Sequence, residues 1–172
     1  MILLAVGANL PGLSGGSPIE TCRAAVSEIA QLPGIDFISV SSWYRSAAVP
    51  RSDQPDYVNG VVRLEGRADP AELLARLHAI EHCHGRLRDR RNAARTLDLD
   101  IIDIDGMVRD SPDPVLPHPR ARVRAFVLLP LQEVAPGWIE PRTGQIVTEL
   151  LADLGNGCRS GDGPIDWPVQ YR

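Results

Sequence analysis

Residues 94–103, ARTLDLDIID, have the composition of a buried strand with charge set into it. Side chains along a strand alternate between its two faces, so Asp98 and Asp100 point one way and Leu97, Leu99 and Ile101 the other. Ile102 and Ile104 are expected to continue the aspartate face. The strand is therefore apolar on both sides except at its start, where one face carries two carboxylates. Burying unpaired carboxylates costs several kcal/mol, so a cation must stand beside them. The candidates are arginine and a divalent metal.

Working outward from that strand, residues 86–95 (RLRDRRNAAR) form an arginine-rich loop, and Asp105-Gly106 ends the strand in a turn. Residues 2–7 read as a first apolar strand. Ser17-Pro18-Ile19-Glu20 fits a capping box with proline at the first helical position, opening a helix to about Leu32. Residues 35–44 (IDFISVSSWY) read as a second strand and 57–65 (YVNGVVRLE) as a third. Asp69-Pro70 with Glu72 caps a second helix, whose apolar stripe is Leu73, Leu74, Leu77 and Ile80 and which stops at Gly85. The order strand–helix–strand–strand–helix–strand is the split βαβ, ferredoxin-like pattern: an α+β fold with an antiparallel sheet and helices packed on one face. A proline-rich loop, helices near 126–134 and 146–154, and an irregular tail over 155–172 complete one domain.

The chain has 172 residues, 44% apolar and 23% charged, with a net charge of −4, which argues against general nucleic-acid binding. All 18 basic residues are arginine. The absence of lysine excludes a Walker-A lysine, a protein-kinase strand lysine and a Schiff base. Phosphates, if bound, are bound by guanidinium groups. Cys22, Cys83 and Cys158 are widely spaced and odd in number, so a reducing cytoplasm is expected. The N-terminal MILLAVGANL has no basic flank and is too short to span a bilayer, which predicts a strand and no membrane partner.

Two carboxylates at i and i+2 on a rigid strand suit Mg²⁺, which keeps most of its waters and takes further oxygens from phosphate. Arg86, Arg88, Arg90, Arg91 and Arg95, joined by Arg120, Arg122 and Arg124, supply planar bidentate phosphate donors; Arg90, Arg91, Arg120 and Arg122 also read as a solvated surface run. Together the two groups point to phosphoryl-type transfer from a nucleotide. Tyr57 and Asn59 share a strand face, an aromatic plane beside a carboxamide, which suits a flat hydrogen-bonding heterocycle. A rival pattern is His78-x-x-Glu81-His82, the inverted zinc-peptidase signature, with Glu149 as a conceivable third ligand. A ferredoxin-like sheet could also serve as an RNA-binding module, but 5% aromatic content and the negative charge disfavour it.

SSWYRSAAV, DQPDYVNGVV, GRLR, RTLDLDI and LPHPRARVRAFVLLPL, in this order, closely resemble the 6-hydroxymethyl-7,8-dihydropterin pyrophosphokinase family of folate biosynthesis, from AVGANL to about Pro136. The resemblance implies a ferredoxin-like α+β fold and transfer of pyrophosphate from ATP to the pterin hydroxymethyl group. It implies that Asp98 and Asp100 hold two Mg²⁺ ions, that Arg86, Arg88, Arg95 and Arg124 contact the triphosphate, with Arg86 and Arg95 catalytic, and that Glu81, Ile101 and His118 lie in the nucleotide site. Tyr57 and Phe126 would sandwich the pterin, Asn59 would bond its edge, and Ser46 and Val49 would line its pocket. Members commonly carry a tryptophan and a proline before RTLDLDI; here the stretch is Arg91-Asn92-Ala93-Ala94, so a less sealed complex with weaker substrate binding is expected. Alanines stand at 47 and 48, where members often have prolines, and His78 stands where glutamine is frequent.

Overall fold

A computed structural model describes residues 1–13, 15–48, 53–86, 94–157 and 169–170. Val49 and Arg88, with Arg90, Arg91, Asn92, Ala93 and Cys158, lie outside the described residues. Strand β1 (Ile2–Ala8) is followed by α1 (Pro18–Ile29), β2 (Ile35–Val40), β3 (Tyr44–Ser46), β4 (Tyr57–Gly66), α2 (Pro70–Cys83) and β5 (Asp98–Ile104). A 3₁₀ turn (Ala121–Val123) leads into α3 (Ala125–Val134) and α4 (Val147–Gly157), and Val169–Gln170 forms β6. The class is α+β. The sheet runs β5-β1-β4-β3-β6, antiparallel at every pairing, with β2 also on β4. No described helix is long and apolar enough to cross a membrane.

Local chemistry explains the helix ends. The Ser17 N–H and hydroxyl both donate to Glu20 Oε2 at 2.7 Å, closing α1 with Pro18 as its first residue. Asp69 Oδ1 accepts from the N–H groups of Ala71 and Glu72, which start α2. Gly85 takes φ +80° just after α2, a conformation in which a side chain is strained. The expected strand 35–44 is in fact two. Ser41 breaks it: its N–H donates to the Val61 carbonyl and its hydroxyl accepts from the Val61 N–H at 3.0 Å. Trp43 then lies over Gly60, where a Cβ would come within 2.8 Å of the indole.

Helices cover both faces of the sheet, not one. Leu4, Val6, Leu99 and Ile101 pack with Ile29, Leu73 and Leu77 beneath α1 and α2. Leu3, Val61 and Ile102 pack with Leu128, Leu131 and Trp138 beneath α3 and α4. The reason is visible in β1, where Ile2, Leu3 and Leu4 are all fully buried, so both faces need a cover. Two further expectations are corrected. A register shift between Leu3 and Leu4 against β5 reverses the alternation, so Ile104 joins the α1/α2 core and Asp103 turns to the α3/α4 side. The tail is not wholly irregular, since residues 155–157 finish α4 and Val169–Gln170 pairs with β3.

Asp103 is 1% exposed and accepts from Trp138 Nε1 at 3.2 Å and from the Gly106 N–H at 3.1 Å. Burial pushes its carboxyl up, and these two donors only partly restore the charged form. A raised folded-state value contributes stability that is present in acid and lost as pH rises through that value. Asp103→Asn removes this loss, so the variant gains on wild type as pH climbs from about 3 to about 7, spanning the ordinary Asp value. Urea unfolding across that range checks it; a constant difference between the two proteins would contradict the account.

Candidate active site

Three strands end together on the α3 side of the sheet. Gly7 of β1 sits opposite Asn59 of β4 on one side and Asp98 of β5 on the other, and Ala5 is opposite Asp100. Residues two apart share a face, so Tyr57, Asn59, Asp98 and Asp100 all turn towards α3. Gly7 keeps the centre open: a Cβ there would lie 3.1 Å from Asn59 Oδ1. The result is a cavity of about 410 Å³ whose wall includes Ser46, Tyr57, Asn59, Arg86, Arg95, Asp98, Asp100, Arg120, Arg124 and Phe126. Residues distant in sequence are thereby brought to one concave surface.

One wall is charged. Arg86 pairs with Glu81 and lies 2.7 Å from Asp98 Oδ1, and Arg95 pairs with Asp98 Oδ2. Glu81, on the buried face of α2 and 1% exposed, also accepts from the Leu99 N–H at 2.8 Å, which pins α2 to β5. Arg86 is not aligned to donate to Asp98 Oδ1, so that buried oxygen has no hydrogen-bond partner. For Arg95, burial works against the charge but is outweighed by Asp98, and the group is held above its ordinary range. Asp100 is more open and lies 3.7 Å from His118 Nε2. His118 Nδ1 accepts from the Arg120 N–H, which leaves the imidazole hydrogen on Nε2, towards Asp100. Burial first, then Arg124 and Arg120, depress the His118 value against the pull of Asp100.

The donor set fits a hard cation. Asp98 and Asp100 offer carboxylate oxygens from one strand face, one of them a buried oxygen without a hydrogen bond. Among the described residues no trio of His, Cys, Asp and Glu could hold a metal unaided. A cation here must take its remaining ligands from water or a bound anion, as Mg²⁺ does. Arg120 and Arg124 face the same cavity, and no carboxylate pairs with either among the described residues. Burial lowers the Arg124 value, with Arg120 adding to the effect, so an anion here would relieve a repulsive pair.

The rest of the lining includes aromatic and amide side chains. Asn59 Nδ2 donates to Ser46 Oγ at 2.9 Å, both residues being buried, and its carbonyl is left towards Gly7. Tyr57 and Phe126 line the cavity from β4 and α3, with the Arg124 guanidinium 5.3 Å from the Phe126 centroid. Burial raises the Tyr57 hydroxyl's value, so the phenol stays neutral.

The profile of the 7,8-dihydro-6-hydroxymethylpterin-pyrophosphokinase family matches residues 3–136, which include every element that contributes to the cavity. The chain belongs to this family. Similar proteins named 2-amino-4-hydroxy-6-hydroxymethyldihydropteridine pyrophosphokinase include one from Synechocystis, 39% identical over 160 residues, covering 92% of this chain and 78% of the relative. One from Haemophilus influenzae is 38% identical over 153 residues, covering 89% of this chain and 92% of its own length. One from Pseudomonas aeruginosa is 40% identical over 151 residues, covering 88% and 90%.

Of the residues expected in this family's site, the structure gathers Ser46, Tyr57, Asn59, Arg86, Arg95, Asp98, Asp100, Arg124 and Phe126 around one cavity. Glu81 and His118 stand behind it, acting on Arg86 and Asp100. The Ile101 side chain is buried in the α1/α2 core, so only its main chain can serve a ligand. The zinc reading fails on geometry: Glu81 is turned inward to Arg86 and Leu99, His82 is exposed, and Glu149 Oε2 accepts from the Ile146 N–H. Sequence reasoning passed over Gly7 and Gln54 in the cavity lining, and Asn9, whose side chain bonds Gln54, Pro55 and Arg95. Asn9 carried one usable signal, a carboxamide immediately after a fully apolar strand.

Arg86→Ala would take a guanidinium from the buried Glu81 carboxylate, destabilising the fold on the order of 3 kcal/mol. Arg95→Ala leaves Asp98 its Arg86 neighbour and costs far less. Denaturant titration of the two variants checks the ranking; equal losses would show that Glu81 does not depend on Arg86.

Proposed function

We propose that this chain transfers the β,γ-pyrophosphoryl group of ATP to the hydroxymethyl oxygen of 6-hydroxymethyl-7,8-dihydropterin, releasing AMP, and that it does so with Mg²⁺. The observation that carries this is that Asp98 and Asp100, four arginines, and Tyr57, Asn59 and Phe126 all line one cavity. The arginines suit a triphosphate, and the aromatic residues with Asn59 suit a flat heterocycle. Family membership supports the activity class.

The residues divide the work. Asp98 and Asp100 would hold the metal, in the family's pattern two ions, which would supply neutralisation of the phosphate charge. Arg86, Arg95 and Arg124 contact the triphosphate and stabilise charge as it develops; Arg88 is assigned here by family pattern alone. His118 and Glu81 keep Asp100 and Arg86 in place, and the Ile101 main chain completes the nucleotide side. Tyr57 and Phe126 hold the pterin between rings, while Asn59, oriented by Ser46, bonds its edge; Val49 is assigned to this pocket by the same pattern. The pterin hydroxyl oxygen forms a bond to the β-phosphorus as the bond from that phosphorus to the α,β-bridging oxygen breaks. The hydroxyl proton passes to solvent and AMP leaves. No side-chain base is required, because positioning and charge stabilisation supply the acceleration.

Incubation with Mg²⁺-ATP and the reduced hydroxymethylpterin should yield AMP and pterin diphosphate in equal amounts, followed by ³¹P NMR or ion-exchange chromatography. Appearance of ADP would identify an ordinary monophosphoryl kinase. Asp98→Ala and Asp100→Ala should each lower kcat by roughly 100-fold or more, the scale of losing a charge-stabilising group. Pterin affinity should change little. Near-normal kcat in either variant would remove the metal assignment.

A further inference from the structure

The break at Ser41 leaves β3 as a strand of three residues. Tyr44, Arg45 and Ser46 lie opposite Asn59, Val58 and Tyr57 of β4. Residues directly opposite share a face of the sheet, so Tyr44 and Ser46 turn with Asn59 and Tyr57 towards α3. There β3 meets Glu133, one residue from the end of α3. The Tyr44 hydroxyl donates to Glu133 Oε1, and the Ser42 N–H donates to Oε2 at 2.7 Å. Both oxygens of one carboxylate thus hold the start of β3. Trp43, between the two donors, packs instead into the α1/α2 core.

Two residues beyond Tyr44, Ser46 Oγ accepts from Asn59 Nδ2 at 2.9 Å and lines the cavity. Ser46 orients that carboxamide only where β3 places its hydroxyl. A strand displaced by about 1 Å would stretch the 2.9 Å bond past ordinary hydrogen-bond length. Three residues supply few ladder bonds, whereas α3 is fixed by Val127, Leu128 and Leu131 in the second core. Glu133 therefore lends a rigid helix to a short strand. Tyr44 is a constant donor: burial, then Glu133 itself, pushes its hydroxyl up to about 12, so it keeps its proton at neutral pH. Both bonds to Glu133 stand in water, so they contribute less to fold stability than buried ones would.

We infer that Glu133 is a positioning residue: by clamping β3 to α3 it fixes Ser46, and through Ser46 the Asn59 carboxamide that meets the edge of a heterocycle. The inference rests on the proposed assignment of Asn59 to the pterin. Glutamine at this position would keep both links, accepting from the Ser42 N–H through its oxygen and donating to the Tyr44 oxygen through its nitrogen. Alanine would lose both.

The test is steady-state kinetics with Mg²⁺-ATP and 6-hydroxymethyl-7,8-dihydropterin, run as a double-mutant cycle between positions 133 and 46. Glu133→Ala should raise the pterin KM about 10-fold, the scale of one lost hydrogen bond to a charged group, and leave kcat and the ATP KM within about 2-fold. Glu133→Gln should recover most of that loss. In a Ser46→Ala background, Glu133→Ala should add less than about 2-fold, because the link it acts through is already cut. A general loosening would instead raise both KM values, lower kcat and add to the effect of Ser46→Ala. That pattern, an unchanged pterin KM, or a glutamine variant as impaired as alanine overturns the inference alone. Tyr44→Phe cuts one arm of the clamp and decides the matter if Glu133→Ala does not fold: the pterin KM should rise by a smaller factor, and no rise overturns the inference. A wild type that releases no AMP overturns the proposed function, and this inference with it.

Discussion

The Asp98 carboxylate, held between Arg86 and Arg95, is the interaction on which the rest of this structure depends. It stands at the start of the edge strand, where an apolar segment meets the cavity, and it is stable there only because two guanidiniums share its charge. Arg86 is fixed by Glu81, and Glu81 by the Leu99 N–H, so the site is tied into the joint between α2 and β5. The same contacts that make the charge tolerable in the fold aim it into the cavity. Stability and chemistry are therefore not separable here: a fold lacking these arginines would have to expel Asp98, the carboxylate proposed to hold the metal.

The absence of lysine sharpens this picture. Each cation near the cavity is a planar, permanently charged fork, so the site cannot lose charge by deprotonation and does not depend on a tuned ammonium. Arg120 and Arg124 stand at the same cavity without carboxylate partners among the described residues, in contrast to Arg86 and Arg95. The described state thus holds one engaged and one unengaged pair of guanidiniums. The proposed magnesium-bound triphosphate would match that imbalance, since a metal would compete with arginine for Asp98 while the phosphates satisfied the guanidiniums.

Much of this was legible from residue order. β1, α1, α2 and β5 announce themselves through capping boxes, proline at N1, a left-handed glycine and a run of aliphatics, all of them short-range signals. The aspartate pair was legible because period-two alternation is local. What could not be read needed long-range information. The break at Ser41 exists because the Val61 main chain and the bare Gly60 surface lie across the sheet. The placement of α3 and α4 on the second face follows from β1 being buried on both sides, which composition permits but does not dictate. Parity past Ile102 failed because a bulge inserts one residue, and nothing in LDIIDI marks where. Asn9 escaped notice because its importance lies wholly in partners dozens of positions away.

The most direct measurement is the anomalous signal of Mn²⁺ in crystals grown with α,β-methylene ATP. The account predicts manganese between the phosphate oxygens and the carboxylates of Asp98 and Asp100, with at least one of Arg86 and Arg95 drawn off Asp98 onto the triphosphate. Density for the nucleotide with Asp98 still closed on both arginines, and no cation between carboxylates and phosphates, would contradict it.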